Sequence, residues 1–440
     1  MRNLIVAIAL GLALAAPAAA RQLTIDDVAS LSRVSAPAAS ADGQWLVWQQ
    51  RETDLSIDGA RFDLWRLDLT KKGAVPEHLV ADGEANETAP QFSRDGKTVY
   101  FQSDKGGSDA VWAVDISGAN ARRLTDFKGG MGGFIVAPTD DRIAIFADRL
   151  PGAPSLEVPM AKKDPLAGNG RTYDQLFVRH WASWADGTRS QLFVVPLGVD
   201  GAKGNGVAIE HGLIGDTPSK PFGGTEEVSW SADGKTLFFA LREAGRIEPL
   251  STNLDIFAAP ADGSAPPQNL TAANKATDTL PTVSPDGKTL AYVAMARAGY
   301  EADRQVLMLR DLASGKTLAL TQEWDRSIGS ISWARDGKSL LVTAEDTQEN
   351  PVWSVNAASG KVVRLTRAGN VTAVVPTRGG IIYAMNSLVA PDDFYLLPGT
   401  GTPVRLTAVN AAKLEGIDMP GISRFTFKGA HGDAVWGYAV

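Results

Sequence analysis

The stretch Ser284-Pro285-Asp286-Gly287-Lys288 stands between two apolar runs, and near copies of it recur along the chain. Asp-Gly between such runs indicates a tight β-hairpin turn, because glycine supplies the positive φ that the turn requires. Clear copies are Ser40-Ala41-Asp42-Gly43-Gln44, Ser93-Arg94-Asp95-Gly96-Lys97, Ser231-Ala232-Asp233-Gly234-Lys235 and Ala334-Arg335-Asp336-Gly337-Lys338, and degenerate copies are Pro138-Thr139-Asp140-Asp141-Arg142 and Pro376-Thr377-Arg378-Gly379-Gly380. Seven hairpins in one chain indicate a repeat protein.

The residues after each turn complete the repeat. A β-like run follows the turn, a second run comes next, and a third closes on Leu-Thr. The Leu-Thr pairs begin at Leu124, Leu270, Leu320, Leu365 and Leu406, with Leu79-Val80 as a weaker copy. Four strands per repeat at a period of roughly 40 to 55 residues are typical of a propeller blade. One step, from Asp140 to Asp233, is doubled, and we interpret it as a long insertion within one blade. The sequence therefore predicts an all-β, seven-bladed propeller of four-stranded antiparallel blades.

The N-terminus predicts export. Met1-Arg2-Asn3, an apolar run from Leu4 to Ala16 and an Ala-X-Ala end form the pattern of a cleavable signal peptide over residues 1–20. The apolar run is too short to span a bilayer. We expect a lead-in at 21–34, the propeller at 35–410 with its insertion at about 150–190, and further strands at 411–440. The expected location is periplasmic or secreted.

Composition excludes several classes of site. The chain has no cysteine, so neither disulfides nor a lipidation cysteine are available to it. A net charge of −7 without a basic cluster argues against nucleic acid or an anionic membrane as a partner. The four histidines lack metal-ligand spacing. We therefore predict no metal, no cofactor and no membrane anchor after signal cleavage.

The insertion contains the first group of candidate site residues, Arg179, His180, Trp181 and Trp184. In a four-stranded meander the Asp-Gly turns share one face, and the second-to-third connections and blade links share the other. The insertion lies on that second face, together with Glu248 and the adjacent Glu226 and Glu227. One interpretation is structural: tryptophans that pack on the propeller wall and carboxylates that are merely solvated. The other is a recognition surface, because loops on a rigid scaffold often carry function.

Several motifs are more specific than the turns. They are Tyr173-Asp174-Gln175-Leu176-Phe177-Val178-Arg179-His180-Trp181 with Trp184, Glu248-Pro249-Leu250-Ser251-Thr252-Asn253, Asn386-Ser387-Leu388-Val389-Ala390-Pro391-Asp392-Asp393-Phe394-Tyr395, and Leu406-Thr407 followed by Asn410. Over residues 23–440 the chain resembles the N-terminal propeller of the prolyl oligopeptidase family of serine peptidases, most closely its bacterial exported dipeptidyl-peptidase and acylaminoacyl-peptidase-like members. It departs from them at Ala182, where relatives tend to carry an acid, and at Leu250, where an aromatic residue is usual.

The resemblance implies a division of labour. In this family a C-terminal α/β-hydrolase domain carries the catalytic serine in a Gly-X-Ser-X-Gly elbow, followed by an aspartate and a histidine. The chain has no such elbow, so we assign it no catalytic residue and expect it to be inactive alone. Residues 425–429 and 433–440 resemble the strands that lead into the hydrolase domain, and we interpret the chain as a fragment that stops before it.

The resemblance also implies a role for the candidate residues. The propeller would gate access of short peptides to the catalytic domain, with Arg179, His180, Trp181, Trp184, Glu226, Glu227 and Glu248 binding substrate or docking that domain. A carboxylate there would receive the substrate α-ammonium group, and Arg179 would pair with a substrate carbonyl or a hydrolase-domain acid.

Two other functions remain open. A non-enzymatic, TolB-like periplasmic propeller scaffold would carry similar blades, but it needs its own α/β domain before the propeller, and residues 21–34 are too few. A sialidase-type propeller needs Ser-X-Asp-X-Gly-X-X-Trp boxes, whereas here glycine follows aspartate directly.

Overall fold

The computed structural model describes residues 20–157, 168, 170–198, 200–243, 245–367 and 369–440. It contains seven antiparallel blades of a β-propeller with very little helix, which confirms the predicted fold class. The predicted signal peptide, except for Ala20, and part of the third-blade insertion lie outside the described residues.

Each blade is a meander of consecutive strands, numbered here from first to fourth. The strands of blade 1 are Arg33–Ala39, Trp45–Asp54, Gly59–Asp68 and Glu77–Val80, and those of blade 2 are Glu87–Phe92, Thr98–Ser103, Ala110–Asp115 and Arg122–Arg123. Blade 3 has Gly133–Val136, Arg142–Arg149, Arg189–Gly198 and an outer edge split into Gly201–Ala202 and Val207–Ala208, and blade 4 has Val228–Trp230, Thr236–Leu241, Asp255–Pro260 and Gln268–Asn269.

The remaining blades follow the same order. Blade 5 has Asp278–Val283, Thr289–Ala294, Val306–Asp311 and Thr317–Ala319, blade 6 has Ile328–Trp333, Ser339–Ala344, Val352–Asn356 and Val362–Arg364, and blade 7 has Asn370–Thr377, Gly380–Ser387, Ala390–Pro398 and Val404–Arg405. Outside the blades lie an α-helix at Ile25–Ser30, 3₁₀ helices at Thr225–Glu227, Gly245–Leu250 and Ala430–Gly432, a parallel pair of Arg21–Gln22 with Ile417–Asp418, and hairpins formed by Arg179–His180 with Ser183–Trp184 and by Ser423–Lys428 with Ala434–Ala439.

The serine and aspartate of each complete turn bind one another. In blade 5 the Ser284 hydroxyl donates to Asp286 Oδ1 (2.6 Å) and accepts the N–H of Thr289 (3.0 Å). The same bonds recur at Ser40, Ser93 and Ser231. These bonds satisfy backbone groups that a tight turn would otherwise leave unpaired.

The turns of neighbouring blades pack against each other in a ring. Gly287 adopts φ +74°, and a Cβ there would lie 3.1 Å from the Cβ of Ala232 in the preceding blade. Gly43 of blade 1 lies in the same way against Arg378 of blade 7. We call this side of the disc the turn face. The opposite side, which carries residues 150–157, 170–188, 209–227, 242–243 and 245–254, is the insertion face.

The Leu-Thr pairs fasten the fourth strand to the third. In five blades a buried threonine hydroxyl accepts the N–H of the same third-strand position, at 2.9 Å each time. The pairs are Val111 to Thr125, Ile256 to Thr271, Leu307 to Thr321, Val352 to Thr366 and Phe394 to Thr407. The motif recurs because every blade must satisfy this buried amide.

Blades 1 and 7 close the ring without exchanging a strand. Trp48 packs on Phe394 with ring centroids 5.3 Å apart, within one apolar cluster that spans the two blades. The Asn410 side chain exchanges two hydrogen bonds with the backbone of Ser32 (2.8 and 2.9 Å). Lys413 adds an ion pair with Glu52 (2.8 Å). Burial and these polar contacts therefore hold the seam between the chain's two ends.

Candidate functional site

A short hairpin outside the blades, Arg179–His180 with Ser183–Trp184, lies within the blade 3 insertion on the insertion face. The Arg179 guanidinium lies 5.6 Å from the centre of the Trp184 ring, and the Tyr173 ring stacks on Trp184 with centroids 6.3 Å apart. The Tyr173 hydroxyl donates to the Ala185 carbonyl (2.9 Å). His180 pairs through its backbone with Ser183, and its side chain lies outside the described part of the chain.

Two aromatic side chains stand exposed beside this hairpin. Trp181 is 76% exposed and Phe222, from the link between blades 3 and 4, is 80% exposed. Their rings meet edge to face, with centroids 6.5 Å apart. The contact joins the insertion to the blade link, so sequence segments about forty residues apart form one surface.

Arg189, at the start of the third strand of blade 3, is the ionic centre of the insertion face. It binds both oxygens of Glu248 (2.9 and 2.6 Å) and also Asp216 Oδ2 (2.9 Å). These hydrogen bonds, led by those that Arg189 donates to Glu248, raise the pKa of Arg189. Because Glu248 belongs to the 3₁₀ helix Gly245–Leu250, Arg189 fixes that helix against blade 3. Arg246 strengthens the junction by donating to the Asp174 carbonyl (3.0 Å).

Lys220 extends this network along the link between blades 3 and 4. Its ammonium lies 2.9 Å from Asp148 and 3.4 Å from Asp216. Asp216 in turn accepts the Ser190 N–H (2.8 Å). The acids of this network therefore each have a basic partner.

The neighbouring glutamates Glu226 and Glu227 point in different directions. Glu227 is buried and accepts the N–H and hydroxyl of Ser219 (2.6 and 2.8 Å) and the Thr279 hydroxyl (3.2 Å). Burial raises the pKa of Glu227, and these hydrogen bonds partly offset that effect. Glu226 is exposed, and none of the ion pairs found among the described residues involves it. Glu226 is thus the carboxylate of the pair that is open to a cation from solution.

The C-terminal hairpin docks on the same side of the disc, against the second-to-third connection of blade 6. Gln348 donates to the Gly437 carbonyl (2.7 Å), the Tyr438 hydroxyl donates back to the Gln348 carbonyl, and Arg424 pairs with Glu349 (2.5 Å). The hairpin's other surface carries Phe425 and Phe427, which stack at 6.3 Å and are about half exposed. The insertion face therefore carries exposed apolar groups at two places.

The structure thus brings together Arg179, Trp181, Trp184, Glu226, Glu227 and Glu248 on one side of the propeller. The sequence interpretation did not include Arg189, Asp216 or Lys220. A signal for Arg189 existed, since it is a charged residue at the start of an otherwise apolar strand, Gln191-Leu192-Phe193-Val194-Val195. Its partners Asp216 and Glu248, which lie 27 and 59 residues away, show no such signal in the sequence.

The described residues contain no group of three or more histidine, cysteine, aspartate or glutamate side chains that could hold a metal ion. None of the helices in the described segments is long and apolar enough to cross a membrane.

Comparison with known proteins identifies the fold and its relatives. No family model matches the chain. It is 31% identical over 396 residues to dipeptidyl-peptidase 5 of Porphyromonas gingivalis, an alignment that covers 89% of this chain and 57% of that protein. Its propeller is homologous to those of the prolyl oligopeptidase family. The chain therefore spans little more than half the length of this peptidase relative.

Solved structures with the same fold include peptidases of this kind. Pyrococcus horikoshii acylaminoacyl peptidase superposes with a TM-score of 0.70 at 12% identity, over 93% of this chain and 58% of that one. The β-propeller domain of the Trilobed protease from Pyrococcus furiosus superposes with a TM-score of 0.59 at 11% identity, over 86% of this chain and 99% of that domain. At these identities the similarity concerns the fold alone.

Proposed function

We propose that this chain is the substrate-gating propeller of an exported serine peptidase that acts on short peptides. Its partner would be an α/β-hydrolase domain that supplies the catalytic serine, aspartate and histidine. The observation that carries the proposal is that the candidate recognition residues and the apolar hairpin around Phe425 and Phe427 share the insertion face. A domain seated there would cover that hairpin and enclose the surface around Arg179, Trp181 and Glu226.

The chemistry of the insertion face suits a peptide with a free amino terminus. Glu226 offers an exposed carboxylate to an α-ammonium group, while Glu227 and Glu248 are occupied by hydrogen bonds or ion pairs and hold the surrounding backbone in place. Exposed aromatic rings beside them offer apolar contact to substrate side chains. A tightly desolvated ammonium–carboxylate pair typically changes binding by about 2–5 kcal/mol when one partner is removed. The wall of such a cavity would select substrates without performing the bond cleavage.

The test begins with the coding DNA beyond the codon for Val440. We expect an open frame that encodes a Gly-X-Ser-X-Gly elbow, and we call its product the complete polypeptide. Purified complete polypeptide should release chromophore from dipeptidyl or N-acylaminoacyl substrates, and its elbow Ser→Ala variant should not. The chain of 440 residues alone should release none. An immediate stop codon, or steady product release by the 440-residue chain, would overturn the proposal.

A further inference from the structure

Blade 3 closes on an unusual residue. The Ile209 N–H donates to the Leu192 carbonyl (3.0 Å), as the Leu270 N–H does to Ile256 in blade 4 (2.8 Å). The next residue, Glu210, then accepts the Leu192 N–H through Oε1 (3.2 Å). This is the bond that a threonine hydroxyl accepts in five other blades. Ile209-Glu210 is therefore the Leu-Thr pair of blade 3, with an ionisable group in place of the hydroxyl.

The carboxyl of Glu210 lies where a charge is costly. Glu210 is 1% exposed, and its Oε2 has no hydrogen-bond partner among the described residues. The polar groups nearest to it are all neutral: the Leu192 amide, which donates to Oε1, and the side chains of Gln191 and Thr217, which donate to the Gly215 and Ala240 carbonyls. An ionised carboxylate in such surroundings loses its hydration without a compensating cation.

Charged neighbours do not relieve this cost. The charged group that faces Glu210 is Asp216, whose like charge adds to the effect of burial and raises the pKa of Glu210 well above its ordinary value. The basic groups near Asp216 are committed elsewhere, since Arg189 binds Asp216 and Glu248, and Lys220 binds Asp148 and Asp216. Among the described residues, neither of these two basic side chains is therefore left to pair with Glu210.

We propose that Glu210 is a protonated anchor of the blade 3–4 link, residues 209–224, and that loss of its proton loosens this link and the candidate site attached to it. The proposal does not depend on peptidase activity. The link is attached to the site through Asp216, which holds Arg189, and through Ser219, which holds Glu227. Opening of residues 209–224 would release both contacts.

Hydrogen exchange on the 440-residue chain tests the proposal. The reporters are the amides of Leu192, Ile209 and Thr217, which are hydrogen-bonded within or to the link. Wild type and Glu210→Gln, whose side chain stays neutral, are compared with each other at pH 5 and again at pH 9. At pH 5 we expect the two proteins to be equally protected. At pH 9 we expect these amides to exchange at least about tenfold faster in the wild type than in Glu210→Gln, because local opening of the link sets their exchange rates.

Two further variants complete the experiment. Glu210→Thr installs the residue that five other blades carry, so it should fold and show the pH-insensitive behaviour of Glu210→Gln. Glu84→Gln, an exposed glutamate in the link between blades 1 and 2, should respond to pH as the wild type does. Equal exchange in wild type and both Glu210 variants at each pH would overturn the proposal. Loss of protection in both variants at both pH values would also overturn it, because the Glu210 carboxyl would then hold the link in its ionised form.

Discussion

Arg189 and Glu248 form a two-point ion pair across 59 residues of sequence, with Nη1–Oε1 and Nη2–Oε2 distances of 2.9 and 2.6 Å. Their side chains are largely buried, and Asp216 shares the same guanidinium. This pair joins the strand that follows the insertion to the 3₁₀ helix after the second strand of blade 4. It is a two-point polar contact between blade 3 and blade 4 on the insertion face.

Arg189→Met should destabilise the chain by about 3 kcal/mol, because it leaves the largely buried Glu248 without its cation and Asp216 with only the more distant Lys220. Arg189→Lys keeps the charge but cannot bind two oxygens at once, so it should lie between that variant and the wild type. Urea unfolding measures both. The matched control is Arg142→Met, since Arg142 pairs with the exposed Asp141 and should matter by less than about 1 kcal/mol. Equal losses at Arg189 and Arg142 would contradict this assignment.

The Leu-Thr pairs give a second prediction, for which blade 6 is suited. Thr366→Val keeps the shape of the side chain but leaves the Val352 N–H without its acceptor, so it should cost about 1–3 kcal/mol in the free energy of unfolding. Thr366→Ser keeps the oxygen and should cost clearly less. Chemical denaturation of the two variants checks the ranking. A valine variant as stable as the serine variant would show that the hydroxyl contributes nothing.

Two further buried carboxyls predict how stability depends on pH. Glu87 and Asp278 each begin the first strand of a blade, the position that Ile328 occupies in blade 6, and each has one oxygen without a hydrogen-bond partner among the described residues. Burial, reinforced by Asp63 and Asp82, raises the pKa of Glu87 to about 7. Burial, reinforced by Asp255, raises the pKa of Asp278 to about 7.

The sign of the effect follows from these shifts. The folded chain holds protons that the unfolded chain releases at lower pH, so their stabilisation is complete below the ordinary carboxyl range and is lost as pH rises through about 7. The midpoint temperature of thermal unfolding should therefore decrease as the pH is raised from 5 to 8. The double variant Glu87→Gln with Asp278→Asn should show a smaller fall in calorimetry. Parallel curves for wild type and double variant would be the contrary result.

The seven blades could be predicted because their signals are local. A Ser-X-Asp-Gly turn satisfies its own backbone groups, as Ser284 and Asp286 do, so its sequence pattern survives in most repeats. The closure of blade 3 was missed because Glu210 performs the threonine's task with a different functional group. Blade 3 closes in the same way as the other blades, but its sequence lacks the threonine by which their closures are recognised.

For the candidate site, strand order could predict which face carries the residues but not the contacts that each side chain makes. Strand order assigned Glu226, Glu227 and Glu248 to one face, and they lie there. Sequence adjacency could not show that Glu227 turns inward to Ser219 while Glu226 stays exposed, because that depends on contacts with Thr279 from the next blade. Ion pairs between distant segments, such as Arg189 with Asp216, leave no periodic pattern in the sequence.

Recognition of a free amino terminus by the insertion face is tested most directly by the Michaelis constants of the complete polypeptide for a free-amine dipeptide substrate and its N-acylated counterpart. For Glu226→Gln we expect the constant for the free-amine substrate to rise by about thirtyfold or more, a change of about 2 kcal/mol or more, and the constant for the acylated substrate to stay unchanged. Glu84→Gln is the control and should alter neither. Equal changes with both substrates, or no change with either, would contradict recognition of the ammonium group by Glu226.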